Sequence, residues 1–273
     1  MKKRLSLAVV MILFGSFLIA GCGSSGSGDT NVFRVGMEAD YPPFNWTQVT
    51  ADNGGAKIDG SPEYAGGYDV EIAKRIAKGL GKELVIVKTE WDGLTPSLTS
   101  GKIDAIIAGM SPTENRKLTI DFSDNYYESD LVIVVKSGSE YENATSIQDF
   151  SGAKITAQLN TFHYEVIDQI NGVVKETAMD NFPAMRVALQ SGFIDGYVSE
   201  RPEGVSAESA NKDFKMVEFK EGFITSPDDT SIAVGVKKDS PLTAQINEIL
   251  KGISAEERLR IMDDAIKNQP TSN

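Results

Sequence analysis

What most narrows the fold of this chain is a strand–helix alternation that runs through it twice. Phe33-Arg34-Val35-Gly36-Met37 reads as a strand. Asp69 to Leu80 reads as an amphipathic helix that turns Val70, Ile72, Ile76, Ala77 and Leu80 inward. Leu84 to Val87 is a strand, Thr95 to Thr99 a short helix, and Ile103 to Ala108 a buried strand. The order β-α-β-α-β predicts a parallel, doubly wound sheet in an α/β fold. A β-branched run, Leu131 to Val135, then precedes the turn-rich Ser137-Gly138-Ser139. A second series starts near Lys154, with strands at 154–157, 173–176 and 194–198 and helices at 162–170 and 183–190. Ser231 to Val236 is a late strand, followed by helices over Leu242 to Lys251 and Ala255 to Ile266.

The two series share an echo. Leu98-Thr99-Ser100-Gly101-Lys102-Ile103-Asp104-Ala105 matches Leu189-Gln190-Ser191-Gly192-Phe193-Ile194-Asp195-Gly196 at five of eight positions. Each copy ends a helix, breaks at glycine and starts a strand. Shared helix-stop chemistry accounts for it, and so do two lobes of like structure. Either way each copy launches a strand whose C-terminal end opens onto a crevice, the place where open α/β sheets bind ligands.

The first residues carry a different signal. Lys2, Lys3 and Arg4 precede a mostly apolar run from Leu5 to Ala20, and Ile19-Ala20-Gly21-Cys22 closes it. This resembles a lipobox, so residues 1–21 are expected to be a cleaved leader and Cys22 a lipidated N-terminus. The run is too short and too soon interrupted for a membrane span. Residues 22–31 then form a Gly/Ser-rich tether. Removal of the leader takes away three basic residues and no acid, leaving 24 basic against 39 acidic residues and a formal charge of −15. Such a surface repels nucleic acid and anionic headgroups. A single cysteine forms no internal disulfide, and a single histidine, His163, builds no multi-histidine metal site. No metal or cofactor is expected. The roughly 240 residues that follow suffice for two lobes with cores of their own.

Candidate binding residues lie at the strand exits. After the first echo, Ser111 suits an N-cap, Pro112 the first helical position and Glu114 the third, a capping box. A helix start there would aim N–H groups at the crevice. Arg116 would add a fork able to hold a carboxylate in two places, or else pair with a surface acid such as Asp121. After the second echo, Glu200 leaves its strand and could meet an ammonium, or simply complement a helix start. A cation from one lobe and an anion from the other fit a zwitterion. Tyr41, Phe44 and Trp46 follow the first strand, and Trp91 follows the strand Leu84 to Val87. Tyr41 and Trp91, read as strand-exit loop residues, are expected as pocket walls and Phe44 as core. Glu38 could meet a polar or cationic substituent.

Glu38 to Trp46 (EADYPPFNW), Gly66-Gly67-Tyr68-Asp69-Val70, Trp91-Asp92-Gly93-Leu94, Ala108 to Arg116 (AGMSPTENR), Asp121-Phe122-Ser123 and Tyr126-Tyr127 together resemble the polar amino-acid family of ABC-importer substrate-binding proteins. The resemblance runs from about Val32 to about Val236. It implies a type II periplasmic-binding-protein fold, two α/β lobes joined by a two-strand hinge, with 32–128 and 229–273 as lobe 1 and 129–228 as lobe 2. It places the carboxylate-binding arginine on Arg116 and the ammonium-contacting carbonyl and hydroxyl on Gly109 and Ser111. The next-turn hydroxyl falls on Thr113, the second-lobe acid on Glu200 and the stacking aromatics on Tyr41 and Trp91. Thr161 takes the second lobe's share of the carboxylate, with Gln158 and Phe162 near the ligand side chain. Phe162 is bulkier than the family's usual residue. Ser254 to Pro270 lacks the family's aromatic-rich ending, which bears on how the last helix docks.

The implied function is capture of a free amino acid by hinge closure and delivery to permease and ATPase subunits. The expected form is a monomer, lipid-anchored on the extracytoplasmic face of the cell membrane in Gram-positive style. The rival from another class is an enzyme on the same fold, dehydratase-like, which needs a general acid or base in the cleft. His163 is the only histidine, and Glu38 and Glu200 could serve, without a recognisable pairing. A ligand-sensing subunit of a receptor is the other alternative, acting through a partner, since the sequence shows no second apolar span. Glu38 and Glu200 suit arginine or lysine as ligand, whereas the Gly-Tyr-Asp-Val-Glu and Thr-Glu-Trp-Asp segments look more like cystine binders.

Overall fold

The computed structural model describes residues 31–270. The expected leader, Cys22 and nearly all of the tether lie outside them. Two five-stranded sheets carry the fold. The first runs Glu83–Lys88, Val32–Met37, Ala105–Ile106, Ser231–Lys237, Ile120–Glu128 in spatial order. Its first three strands are parallel, and Ser231–Lys237 is antiparallel to both neighbours. The second runs Val174–Lys175, Lys154–Thr156, Gly196–Glu200, Leu131–Lys136, Phe214–Val217, with the same parallel and antiparallel pattern. In each sheet the three parallel strands lie in the order second, first, third. An antiparallel strand that has just crossed from the other lobe lies beside them. The crossings run side by side, where the Ser129 N–H donates to the Thr230 carbonyl at 3.0 Å. This is the two-lobed type II arrangement the resemblance implies.

Local chemistry explains why these segments form these elements. Val32–Met37 lies between two parallel neighbours and is nearly all apolar, as a strand covered on both faces must be. The helix Tyr68–Gly79 buries Val70, Ile72, Ala73, Ile76 and Ala77 on one stripe. Each buried isoleucine or valine there contributes about 1.5–3 kcal/mol.

The helices Trp91–Ser100 and Phe182–Ser191 both stop at a left-handed glycine, Gly101 (φ 83°) and Gly192 (φ 76°). Asp104 then accepts from the Arg34 N–H at 2.8 Å, and Asp195 from the Lys154 N–H at 2.8 Å. In each lobe the aspartate tethers the third parallel strand to the first. The echo therefore marks equivalent places in two lobes of like structure, and shared turn chemistry alone does not produce this pairing.

Several expected elements differ. The helix expected at Thr95 begins at Trp91 and carries Pro96 within it. Gly93 does not break it; a Cβ there would lie 2.9 Å from Thr89 Cγ2, so glycine allows close packing. Tyr41 lies in a two-residue strand, Asp40–Tyr41, of a small sheet with Asn45–Gln48, Tyr64–Gly66 and Ala56–Lys57. The helix Arg201–Ala210 and the strand Phe214–Val217 are additions to the expected elements.

The last helix, Ala255–Asn268, docks without aromatic residues. Ile261, Met262 and Ala265 are buried, and Arg258 donates to the carbonyls of Asn125 and Leu250 at 2.8 and 2.7 Å. Beyond it, Gln269 exchanges hydrogen bonds with Ser206 on the helix Arg201–Ala210. Among the described residues, no helix is long and apolar enough to cross a membrane.

Candidate functional site

The parallel strands of both sheets point their C-terminal ends at one cleft, and the side chains there reach across it. Glu38 follows Val32–Met37 and is buried. One of its oxygens accepts from Gln158 Nε2 of the other lobe at 2.8 Å, while Oε2 has no hydrogen-bond partner among the described residues. Burial pushes its carboxyl up to about 8. The nearby charges of Asp40, Glu90 and Asp92 act in the same direction. The Gln158 amide also donates to the Asp180 carbonyl at 3.0 Å.

Glu200, at the end of Gly196–Glu200, is the second buried acid. Desolvation likewise raises it to about 8. The Tyr41 hydroxyl donates to its Oε2 across the cleft. His163 Nε2 lies 3.0 Å from Oε1 without hydrogen-bonding geometry, and neither ring nitrogen has a partner among the described residues. Burial, followed by the positive charge of Arg116, lowers the imidazole to about 3. At pH 7 His163 and Glu200 are thus a neutral pair.

Arg116 faces the other end of the cleft. It donates to the Ser111 carbonyl at 2.9 Å and across the lobes to the Asn160 carbonyl at 3.2 Å. Its guanidinium carbon stands 4.9 Å from the Trp91 ring centroid. Desolvation brings the guanidinium down to about 10, so it stays charged at neutral pH. Asp121, the surface acid considered for it, pairs with Lys238 at 2.7 Å instead.

The expected cap is corrected. Thr113, not Ser111, caps the short helix Glu114–Lys117, its hydroxyl accepting from the Arg116 N–H at 3.4 Å. Ser111 lies outside that helix and is buried, and its carbonyl is taken by Arg116.

The remaining expected residues line the same region. Gly109 has φ 60°, and a Cβ there would lie 2.7 Å from Tyr41 Cε1, so the Tyr41 ring packs against bare backbone. Thr161 donates to the Gln158 carbonyl at 2.7 Å, and the buried Phe162 ring sits 4.3 Å from the His163 ring. A cavity of about 270 Å³ is lined by Thr113, Arg116, Asn160, Thr161, Phe162 and Glu165, among others. Trp91 is the first residue of its helix rather than a loop residue, and lines a second cavity of about 250 Å³ with Glu90, Asp92 and Asp180. Phe44 is fully buried core, as expected.

Three residues of the cleft were not singled out from sequence as site residues. Phe182 stacks on Tyr41 from the opposite lobe, centroids 4.1 Å apart and planes within 11°. His163 meets Glu200 as described. Asn160, left-handed at φ 56°, offers one carbonyl to Arg116 and to Trp91 Nε1, and its amide donates to Asp92 at 2.8 Å. The available signals were weak: a lone histidine two residues after Thr161, and an asparagine, which tolerates a left-handed turn better than most residues other than glycine.

A model of the bacterial extracellular solute-binding proteins, family 3, matches residues 33–265. The chain belongs to that family. The solute-binding protein is 29% identical to the arginine-binding extracellular protein ArtP of Bacillus subtilis over 92% of each chain. It is 30% identical to the ABC transporter glutamine-binding protein GlnH of the same organism over 99% of each. Its fold matches the crystal structure of the substrate-binding protein AbpA of Streptococcus pneumoniae bound to L-arginine. That likeness has a TM-score of 0.74 at 26% identity and covers 87% of this chain and 95% of that one. These relatives are binding proteins, not enzymes, and the solute-binding protein is read with them rather than as a dehydratase.

Proposed function

We propose that this solute-binding protein captures a free amino acid outside the cytoplasm and delivers it to an ABC permease. Closure brings residues 32–128 and 229–273 against residues 129–228. One observation carries the proposal: Arg116 from one lobe and Glu200 from the other each make a contact across the same cleft, to the Asn160 carbonyl and the Tyr41 hydroxyl. The amino acid's carboxylate goes to the Arg116 fork and Thr161. Its ammonium takes the place of the Tyr41 hydroxyl on Glu200 and meets the Gly109 carbonyl and the Ser111 and Thr113 hydroxyls. Tyr41 and Trp91 wall the ligand, and its side chain runs toward Gln158, Phe162 and Glu38.

A cationic side chain suits this site best. Glu38 is buried with one oxygen that has no partner among the described residues, and the charges of Asp40, Glu90 and Asp92 act on it. A guanidinium or ammonium there compensates a carboxylate that burial otherwise keeps protonated. Arginine is the first ligand to test, in keeping with the names of ArtP and of the arginine-bound Streptococcus pneumoniae structure. Cys22 anchors the protein by lipid to the extracytoplasmic face of the cell membrane after residues 1–21 are removed, and the protein works as a monomer with permease and ATPase partners.

The test is a thermal-shift screen of the twenty amino acids, cystine and glutathione, followed by calorimetry. A ligand at a hundred times its Kd stabilises by about 2.7 kcal/mol, a shift of roughly 5–10 °C for a protein of this size. No shift with any amino acid would sink the assignment; a shift with cystine alone would replace arginine. Labelled palmitate incorporated by wild type and lost in Cys22→Ser tests the anchor.

A further inference from the structure

A second buried carboxylate network lies behind the ligand-facing residues. Asp69, in the first turn of Tyr68–Gly79, is fully buried. An acid at that place commonly serves its own helix start, yet its hydrogen bonds run elsewhere. It accepts from Asn45 Nδ2 at 2.8 Å and from the Tyr126 hydroxyl at 2.7 Å. The Gly109 N–H donates to the Tyr126 hydroxyl at 3.3 Å and also acts on the Asp69 carboxylate. The Asp69 N–H donates to the Phe44 carbonyl at 2.8 Å, closing the loop that follows Tyr41. Gly67 makes this approach possible: at φ 121°, a Cβ there would sit 2.4 Å from the Phe44 carbonyl oxygen.

Three elements therefore meet at one carboxylate. Asn45 opens the strand Asn45–Gln48 and pairs with Tyr41, Gly109 leaves the central strand beneath the Tyr41 ring, and Tyr126 stands three residues before the crossing at Ser129. Tyr126 is itself fixed, its carbonyl accepting from the Tyr68 hydroxyl at 2.9 Å.

We propose that Asp69 and Tyr126 are positioning residues for ligand capture. They hold the Gly109 peptide and the Tyr41 wall in the binding arrangement and tie both to the strand that enters the crossing. The inference rests on the amino-acid capture proposed above. Neither residue touches the ligand; each acts through the Gly109 amide. Loss of the Tyr126 hydroxyl leaves a buried N–H and a buried carboxylate each short of a partner, and the peptide they fix is free to rotate.

The experiment titrates the twenty L-amino acids against wild type. The ligand that binds is then titrated against Tyr126→Phe, Asp69→Asn and the double variant, with Asp104→Asn as a control carboxylate that tethers strands away from the cleft. Tyr126→Phe is expected to weaken binding about 10- to 100-fold. Exchange of the Gly109 amide in the free protein should quicken by a similar factor, which a purely structural role would not single out. Asp69→Asn should act in the same direction and non-additively with Tyr126→Phe. It is the second variant should the first fail to fold, because Asn45 Oδ1 is buried with no partner among the described residues and can turn to meet the new amide. Asp104→Asn should lower the melting temperature and leave Kd unchanged. Binding within twofold of wild type in both variants, or unchanged Gly109 exchange, overturns the proposal. A wild type that binds no amino acid sinks the proposed function, while Gly109 exchange in the free protein still decides the positioning role.

Discussion

Glu200→Gln should make the free protein more stable while it disables capture, and the size of the gain follows from the site. Burial raises the Glu200 carboxyl from 4.5 to about 8. Between those values the folded protein holds a proton that the unfolded chain has released, so stability falls as pH climbs through that window. At pH 7 the cost is about 3 kcal/mol, at about 1.4 kcal/mol per pH unit. Glutamine carries no such cost and can still accept from the Tyr41 hydroxyl. The variant should melt about 5–10 °C higher than wild type at pH 7. His163, lowered from 6.5 to about 3, gives the opposite slope below 6.5. The informative comparison therefore spans pH 6.5 to 8, where wild type should lose about 2 kcal/mol through Glu200 and as much again through Glu38. Calorimetric melting of both proteins without ligand at these two pH values reads the effect. A Glu200→Gln protein that melts below wild type at pH 7 and keeps the full slope would refute the reasoning.

The ligand side moves the other way. Arg116→Ala should weaken binding at least a hundredfold, because a buried charge left alone costs about 3–5 kcal/mol; near-wild-type affinity by calorimetry would remove Arg116 from the site. Capture of a cationic ligand ionises Glu38 and Glu200, so affinity should rise between pH 6 and 8. Titrations in buffers of different ionisation heat should show up to about two protons released per ligand below pH 7. Heat independent of the buffer would exclude this linkage. Gly109→Ala places a methyl 2.7 Å from the Tyr41 ring at φ 60° and should cost at least tenfold in affinity. An unchanged Kd would show that the ring can move without consequence.

Much of the architecture was legible because it is written locally. The periodic runs and glycine stops of the two series survive as strands and helices within a few residues. The echo proved to be a structural equivalence once Asp104 and Asp195 were seen tethering corresponding strands. Local pattern failed where two local answers compete. Ser111-Pro112-Thr113-Glu114 offers two hydroxyls as caps, and burial of Ser111 with its carbonyl turned to Arg116 decides for Thr113. It also failed across the cleft. Glu38 and Gln158 are 120 residues apart, and no periodicity announces that one hydrogen-bonds the other. The stacking of Phe182 on Tyr41 and the Asn160 carbonyl are of the same kind.

The strand Ser231–Lys237 lies inside the first sheet, between Ala105–Ile106 and Ile120–Glu128. A chain emerging from its N-terminus thus releases Tyr41, Trp91 and Arg116 early, yet it cannot finish the layer beneath them until more than a hundred further residues have followed Ile120–Glu128. The intervening sheet, by contrast, has all its strands by Val217. The half of the molecule made first is the last to be sealed, and a chain cut short after Val217 would keep a complete second sheet beside an unfinished first one.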